Sequence, residues 1–427
     1  MCALSNSDVL QFIRENDIKF IRLSFCNLFG VHKNIAVLSD ALADILEHGI
    51  SISCTPFPEL RDWCASAVLQ PDPSTLTLLP WRPAQDGVVR LFCDLQTADD
   101  AELALDGRTM LRRVLADYHR LGLTPKVGTD CEFHLFKMDA AGEPTLTTAD
   151  QGGYFDIEPL DKCENVRRDI CLTLEQMGIV PRQSYHEKGP GQNQIDFQHA
   201  PALDAADHFL TFKSVVKAIA AQNGFYASFM PKPIADGCGN GLHINLSIYA
   251  QERNIFSLDQ HHHCPQAHSF IAGILRHIRE ITALLNPLVC SYDRLGNFEA
   301  PGTVSWSYRQ GDQLLWVPEP LPGRLPIIKL RSPDPAANPH LALAMILKAG
   351  LLGMQEQLQL PPPLENSGDS PPEQLPHTLE QALDLAEQSA FVREFFHPAL
   401  LDAYLRHKRA ECKQHPALLY QSYFKMI

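Results

Sequence analysis

Along the 427 residues the apolar positions switch repeatedly between a period near 3.6 and a period of 2. That alternation of helical and strand signatures predicts a mixed α+β chain. "SNSDVLQFIREN" (5–16) has polar residues ahead of Val9, Phe12 and Ile13 on one helical face, a capped amphipathic helix. "IKFIRLSFCNLFGVHKNIAV" predicts two strands about a turn at Gly30, and "ALADILEHGI" a short helix stopped by Gly49. "STLTLLPWRP" and "VVRLFCDL" predict two further strands, and the polar "TADDAELALDGRTM" a boundary. The reading is therefore a small unit over 1–100 and a larger one over 101–427.

In the larger unit, "TMLRRVLADYHRLG" predicts a helix ended by Gly122. "KVGTDCEFHLFKM" then predicts a strand with Asp130, Glu132 and His134 on one face. Residues 139–153 read as a polar loop and "NVRRDICLTLEQMG" as a helix. "SYHEKGPGQNQIDFQ" reads as a strand region, followed by a long helix over "AADHFLTFKSVVKAIAAQNG". "YASFMPKPIADGCGNGLHINLSIY" predicts strand, glycine loop and strand, and "AHSFIAGILRHIREITALLNP" a helix. Beyond residue 340 the pattern is helical, interrupted by "LPPPLENSGDSPPEQLP". "IIKLR" alternates, so Lys329 and Arg331 leave one face of a strand that the prolines of "SPDPAANP" end at once. An exposed edge strand with a solvated basic face is one account of that pair.

Composition narrows the class. A 45% hydrophobic chain with net charge -14 can bury a large core and, with pI ≈ 5.7, is not built for nucleic acid or an anionic membrane. No apolar run reaches the ~18 residues of a membrane span, and the first residues do not form a signal peptide. Twelve cysteines without a C-x-x-C pair fit reduced thiols in a cytoplasmic protein. "HHHCP" (261–265) lacks partners spaced to complete a metal site and reads as a polar loop.

Asp130, Glu132, Glu187 and His243 lie on or beside successive strands. Inward carboxylates with one histidine suit a hard cation, Mg²⁺ or Mn²⁺. The alternative is that they face solvent or pair with Arg294, Lys329 and Arg331.

Several long motifs then carry a resemblance. "GPGQNQIDF", "FMPKPIADGCGNGLHINLS", "NPLVCSYDRLGNFEAPGTVSWS" and "LRSPDPAANPHLALAMILKAGL" resemble, in order and spacing, the motifs of the glutamine synthetase family. "PDPSTLTLLPWRP" and "VVRLFCDL" resemble its N-terminal β-grasp domain. The resemblance implies a β-grasp domain followed by a curved antiparallel sheet flanked by helices. It implies a ring-shaped homo-oligomer with active sites shared between neighbours. It also implies ATP-dependent formation of a γ-glutamyl phosphate from a small amino or carboxylic acid, and its displacement by an amine. Two divalent ions and several arginines would neutralise the transferred phosphoryl group.

Carried over residue by residue, Glu132 and Glu187 match two ligands of the first metal site, whose third position is Gln194 instead of Glu. Asp130 and His243 match the second site, but Lys329 stands where that site has a glutamate. At ~4 Å and an effective dielectric of ~20, a divalent ion beside one charge is worth about 8 kcal/mol, so reversing that sign is severe. Either the ammonium turns away or loses its proton, or it sits where the ion did and pairs with Asp130. Gly311, Trp316 and Ile327 replace arginines, Asn245 a histidine, and Cys238 a substrate-binding asparagine. Arg294 and Gly239 match the amino-acid site, Arg331 the arginine near the γ-carboxylate, and Glu299 the glutamate that takes a proton from the amine. Phe197, Ser247 and Arg324 are candidates for the nucleotide pocket, with Phe197 equally suited to the core. "GISISCTPFPE" lacks the ammonium-binding aspartate, and "LENSGDSPPE" has no adenylylation tyrosine. The expectation is a ligase with altered substrates and a weakened metal and phosphate site. A homologue without catalysis, binding a small acid or serving as a structural or regulatory subunit, is the second reading.

Overall fold

A computed structural model of the protein describes residues 4–82, 87–97, 103–259, 262–319, 325–366 and 371–427. The chain opens with α1 (Asn6–Glu15), held by a reciprocal cap in which Asp8 N–H donates to Ser5 Oγ and Ser5 N–H to the Asp8 carboxylate. Val9 and Ile13 are buried and Phe12 packs against them in part. Strands β1 (Phe20–Cys26) and β2 (His32–Leu38) form the antiparallel hairpin about Gly30. Helix α2 (Leu42–His48) ends at Gly49, whose φ of 70° is open to glycine at little cost. Strands β3 (Ile50–Ser53), β4 (Ser66–Pro71), β5 (Thr77–Leu78) and β6 (Val88–Thr97) complete a sheet of order β2-β1-β6-β4-β3. Alternate residues Val89, Leu91, Cys93 and Leu95 of β6 are buried.

The pattern was misread in two places here. Only Thr77–Leu78 of "STLTLLPWRP" is strand, because the Asp72 carboxylate accepts Ser74 N–H (3.1 Å) and winds Pro73–Thr75 into a 3-10 turn. β3 and β4 gave no signal, being short and rich in small polar residues. The boundary segment is described only from residue 103 onward.

The larger unit wraps a sheet around β7 (Leu123–Met138). β8 (Pro144–Thr148) lies inside the stretch read as loop and pairs with β7. β9 (Pro181–His186) and β10 (Gln192–Phe197) form a hairpin that also joins β7, as do β11 (Ala200–Pro201) and β12 (Phe225–Ser228). On its other edge β7 pairs with β13 (Leu242–Ala250), which turns into β14 (Arg253–Asn254). The chain then adds the small hairpin of β15 (Leu258–Asp259) and β16 (His262–His263), while His261 lies outside the described residues. β17 (Trp306–Ser307), β18 (Leu315–Trp316) and β19 (Ile328–Leu330) extend the sheet beyond β13. The β7, β13 and β19 pairings are antiparallel, as the resemblance implied.

Helices α3 (Gly107–Arg120), α4 (Glu164–Gln176), α5 (Ala202–Gln222), α6 (Pro265–Leu285) and α7 (Pro339–Gln355) back this sheet. α6 and α7 approach closely because Gly273 and Gly353 face each other: a Cβ on Gly353 would lie 2.1 Å from Ser269 O. Helices α8 (Leu379–Gln388), α9 (Ala390–Phe395), α10 (Pro398–Cys412) and α11 (Pro416–Met426) follow the proline-rich stretch. No described helix is long and apolar enough to cross a membrane, and the described cysteines are free thiols.

Charge joins the two units. Arg108, in the first turn of α3, bonds Asp72 (2.8 Å), Asp94 (2.6 Å) and Asp207 (2.9 Å), and Asp207 also meets His340 (2.7 Å). Arg108→Ala would strand buried carboxylates, so a loss of ~3–5 kcal/mol in urea unfolding is expected. A loss below ~1 kcal/mol would show that the seam does not depend on this cluster.

Candidate active site

Strand register sets the site. Gln194 lies opposite Glu132, and Asp196 and His243 flank Asp130 from either side. Asn245 lies opposite Lys329, so alternation gathers these side chains on the concave face. Two cavities share that face. One of about 210 Å³ is lined by Glu132, Glu187, Cys238, Gly239, His243, Arg294, Glu299 and Arg331. The other, about 530 Å³, is lined by Asp130, Arg182, Asp196, Asn245, Trp316, Ile327 and Lys329.

The smaller cavity is built to hold charge. Glu132 accepts Gly241 N–H (2.8 Å) and the Gln192 amide (3.2 Å). The protein closing around it, together with the charge of Glu187, pushes its carboxyl up to about 8. Glu187 is raised as well, first by desolvation. Arg294 and Arg331 offset part of the Glu132 charge and Lys188 part of that of Glu187, but desolvation outweighs them. The turn carrying Glu187 is held from behind by His186, whose ring meets Asp150 (2.9 Å) and Glu187 O (2.6 Å). Burial would raise Asp150, but the His186 bond and backbone donors outweigh it and hold its carboxyl well below the usual range. The neighbouring Asp150–Asp161–Cys163 cluster is thus already filled: Asp161 is met by Arg167 and by Cys163 N–H (2.8 Å).

Arg294 donates to the carbonyls of Arg331 (3.2 Å), Ser332 (3.0 Å) and Pro333 (3.1 Å), which fixes the turn after β19. Its passage explains the glycine loop. A Cβ on Gly239 would lie 2.9 Å from Arg294 Cγ, and one on Gly241 2.9 Å from its Nη2. Arg331 donates to Glu299 O (2.9 Å) and to Gly311 O. Burial, then Lys329, Arg331 and Arg294, push His243 well below its ordinary value, so its imidazole is neutral and offers a lone pair. Across the mouth, Lys188 Nζ is paired with the Glu299 carboxylate and lies 5.7 Å from the Tyr154 ring. Phe298 holds φ of 53° and puts its ring over Lys232 at 4.7 Å.

In the larger cavity Lys329 Nζ is 2.5 Å from Asp130 Oδ2, and Asn245 Nδ2 is 2.8 Å from Asp130 Oδ1. The basic face of β19 is thus neither solvated nor turned away. Asp196, pushed up to about 7 by burial and by the Asp130 charge, takes hydrogen bonds from Gln183 and Gln194 (2.6 Å). The Gln194 amide nitrogen is therefore spent on Asp196. Trp316 lies over Lys329 (5.8 Å) and its indole donates to Tyr308 O (3.1 Å).

Two of the three nucleotide candidates are placed less favourably. Phe197 is 7% exposed and packs edge-on against Phe212 at 5.0 Å. Ser247 is buried between His199 (3.1 Å) and Lys126 O (3.3 Å). Neither lines the two cavities, and Arg324 lies outside the described residues. The structure adds Gln192, Asp196, Lys188, Tyr154 and Arg182. Gln192 and Asp196 share the period-2 face of Gln194 in "GQNQIDF" and were legible there.

Models of the glutamine synthetase β-grasp domain and of the glutamine synthetase catalytic domain match residues 17–98 and 104–426. The chain is 38% identical to the glutamine synthetase of Methanosarcina mazei over 436 residues, 97% of this chain and 96% of that one. The glutamine synthetase of Clostridium saccharobutylicum is 38% identical, covering 96% of each. That of Staphylococcus aureus is 40% identical over 371 residues, 85% of this chain and 82% of its own. Among solved structures, a GmaS–ADP complex superposes with a TM-score of 0.85 at 29% identity, covering 97% of this chain and 99% of that one. A Plasmodium falciparum glutamine synthetase shares the fold, with a TM-score of 0.86 at 20% identity and coverage of 99% and 97%.

Proposed function

The chain belongs to the glutamine synthetase family, and from that footing we propose a carboxylate–amine ligase of altered substrates that works with one divalent cation and a built-in ammonium. The observation that carries this reading is the Lys329–Asp130 pair, 2.5 Å long, beside Glu132 and Glu187, whose hydrogen bonds come from neutral donors. Glu132 and Glu187 fit a Mg²⁺ or Mn²⁺ ion: they are two oxygen donors in one cavity, both raised first by a desolvation that a bound cation would offset. Asp130 and His243 do not fit a second ion while Lys329 holds Asp130. When bound, the ion would supply charge neutralisation for ATP phosphates.

The remaining roles fall to the chain itself. Arg294 and Arg331 would grip a small amino or carboxylic acid in the 210 Å³ cavity and orient its distal carboxylate. The 530 Å³ cavity would take ATP, with Lys329 supplying part of the positive charge that Gly311, Trp316 and Ile327 do not. Glu299 would accept the proton of the incoming amine. A ring of subunits in the cytoplasm, sharing sites between neighbours, belongs to the same proposal.

Calorimetric titration with ATP in Mg²⁺ and in EDTA tests it. Metal-dependent binding, followed by product formation in a screen of acids and amines, is the expected result. Binding of acids with no ATP turnover for any pair would instead support the homologue without catalysis. The missing arginines favour that second reading.

Lys188 bears on the amine. It pairs with Glu299 across the mouth, with side chains 46% and 68% exposed. Lys188→Ala should lower the KM for a small amine such as methylamine about twofold, the ~0.5 kcal/mol that opening an exposed pair costs. Stability should change by less than ~0.5 kcal/mol, as for any exposed pair. An unchanged KM would show that the pair opens freely.

A further inference from the structure

A third cavity, of about 460 Å³, lies where the β1–β2 hairpin meets α5 and the end of α11. In a chain of net charge -14 its walls carry Arg22, Arg82, Arg90, Lys213 and Lys217 and, among the described residues, no aspartate or glutamate. Among the described residues none of the five has a carboxylate partner. Asp207, whose charge reaches Arg90, is already committed to Arg108 (2.9 Å) and His340 (2.7 Å).

What the cations do touch satisfies protons without offsetting charge. Lys213 donates to Pro335 O (2.7 Å) and Lys217 to Met426 O (3.2 Å). Arg90 donates to the Thr211 hydroxyl and lies 4.0 Å from the Phe92 ring, while its Nε, shielded from solvent, has no partner. His32 Nδ1 is 3.1 Å from Ser214 Oγ, and its Nε2 is likewise shielded and unpartnered. Burial, and for Lys217 the charge of Lys213, brings Lys217 down to about 7, and burial brings Arg90 down to about 10 against the pull of Asp207.

We propose that this cavity binds a phosphate monoester. A dianionic head with three terminal oxygens matches convergent Arg and Lys donors and the unpartnered Arg90 Nε–H. The cavity is larger than a bare phosphate requires, and Leu79, Trp81 and Leu210 give an apolar wall for the organic part. Because β1, β2 and β6 supply one wall and α5 the other, the ligand would tie the N-terminal sheet to the sheet that carries the active site.

Titration calorimetry of the full chain with inorganic phosphate, ribose 5-phosphate and succinate tests the proposal. Ribose 5-phosphate should bind at least about tenfold more tightly than succinate, with inorganic phosphate between them. Lys217→Gln and Arg22→Gln, both at partly exposed positions and checked for folding by urea titration, should each weaken it about tenfold. Arg294→Ala and Lys329→Met should leave it unchanged. Succinate binding as tight as ribose 5-phosphate would make the cavity a dicarboxylate site and overturn the proposal. Unchanged binding in folded Lys217→Gln, or no heat with any of the three at millimolar concentration, would overturn it too.

Discussion

A Lys329→Glu variant should unfold earlier than the parent in EDTA and gain more from Mn²⁺ than the parent, whose response should be that of the Glu132–Glu187 site alone. Lys329 now sits 2.5 Å from Asp130, with Asp196 on the next strand. Replacing the ammonium by a carboxylate removes a largely buried pair, a loss of ~3–5 kcal/mol, and adds repulsion. The midpoint should fall by roughly 2–4 °C for each kcal/mol lost. The same substitution assembles Asp130, a new carboxylate and the neutral imidazole of His243, a donor set that suits Mn²⁺. Linkage then returns about 2.7 kcal/mol when free metal is a hundred times Kd. Lys329→Met is the control: it breaks the pair but supplies no ligand, so it should fall and gain from Mn²⁺ no more than the parent does. If the two variants respond alike to Mn²⁺, the ammonium does not occupy a cation position and the one-metal reading is lost.

That placement was half legible in the sequence. Alternation in "IIKLR" and "TDCEFH" put Lys329, Arg331, Asp130 and Glu132 on strand faces, and the long motifs supplied their order. Whether Lys329 met Asp130 depended on strand register, since β19 reaches β7 only through β13. No local pattern encodes that pairing. Lys188 and Glu299 are 111 residues apart, and their contact depends on a turn and a loop whose geometry neither segment specifies alone. The 460 Å³ cavity is harder still, because its cations come from β1, the segment before β6, β6 itself and α5. In the sequence each reads as an isolated surface charge. Only packing shows that no acid came with them.

Removing a carboxylate from the smaller cavity should stabilise the protein and abolish its metal response together. Glu132 is pushed up to about 8 from an ordinary 4.5, chiefly by desolvation and then by Glu187. Between those two values the folded chain holds a proton that the unfolded chain has released. Stability therefore falls as pH rises from about 4.5 to about 8, the reverse of a salt-bridged carboxylate. Glu132→Gln removes that linkage. Urea titrations without metal should show variant and parent alike near pH 5 and the variant ahead by about 1–3 kcal/mol near pH 8. Mg²⁺ should restore the parent at pH 8 and leave Glu132→Gln unmoved, because the neutral amide offers the ion no anionic oxygen. Glu187→Ala should likewise lose the metal-dependent part of ATP binding, while its hairpin stays anchored by the His186–Asp150 bond (2.9 Å). A Glu132→Gln protein less stable than the parent at pH 8 would mean that Gly241 N–H and the Gln192 amide already offset its charge. The cavity would then have no electrostatic need for a metal, and the homologue without catalysis would become the better account.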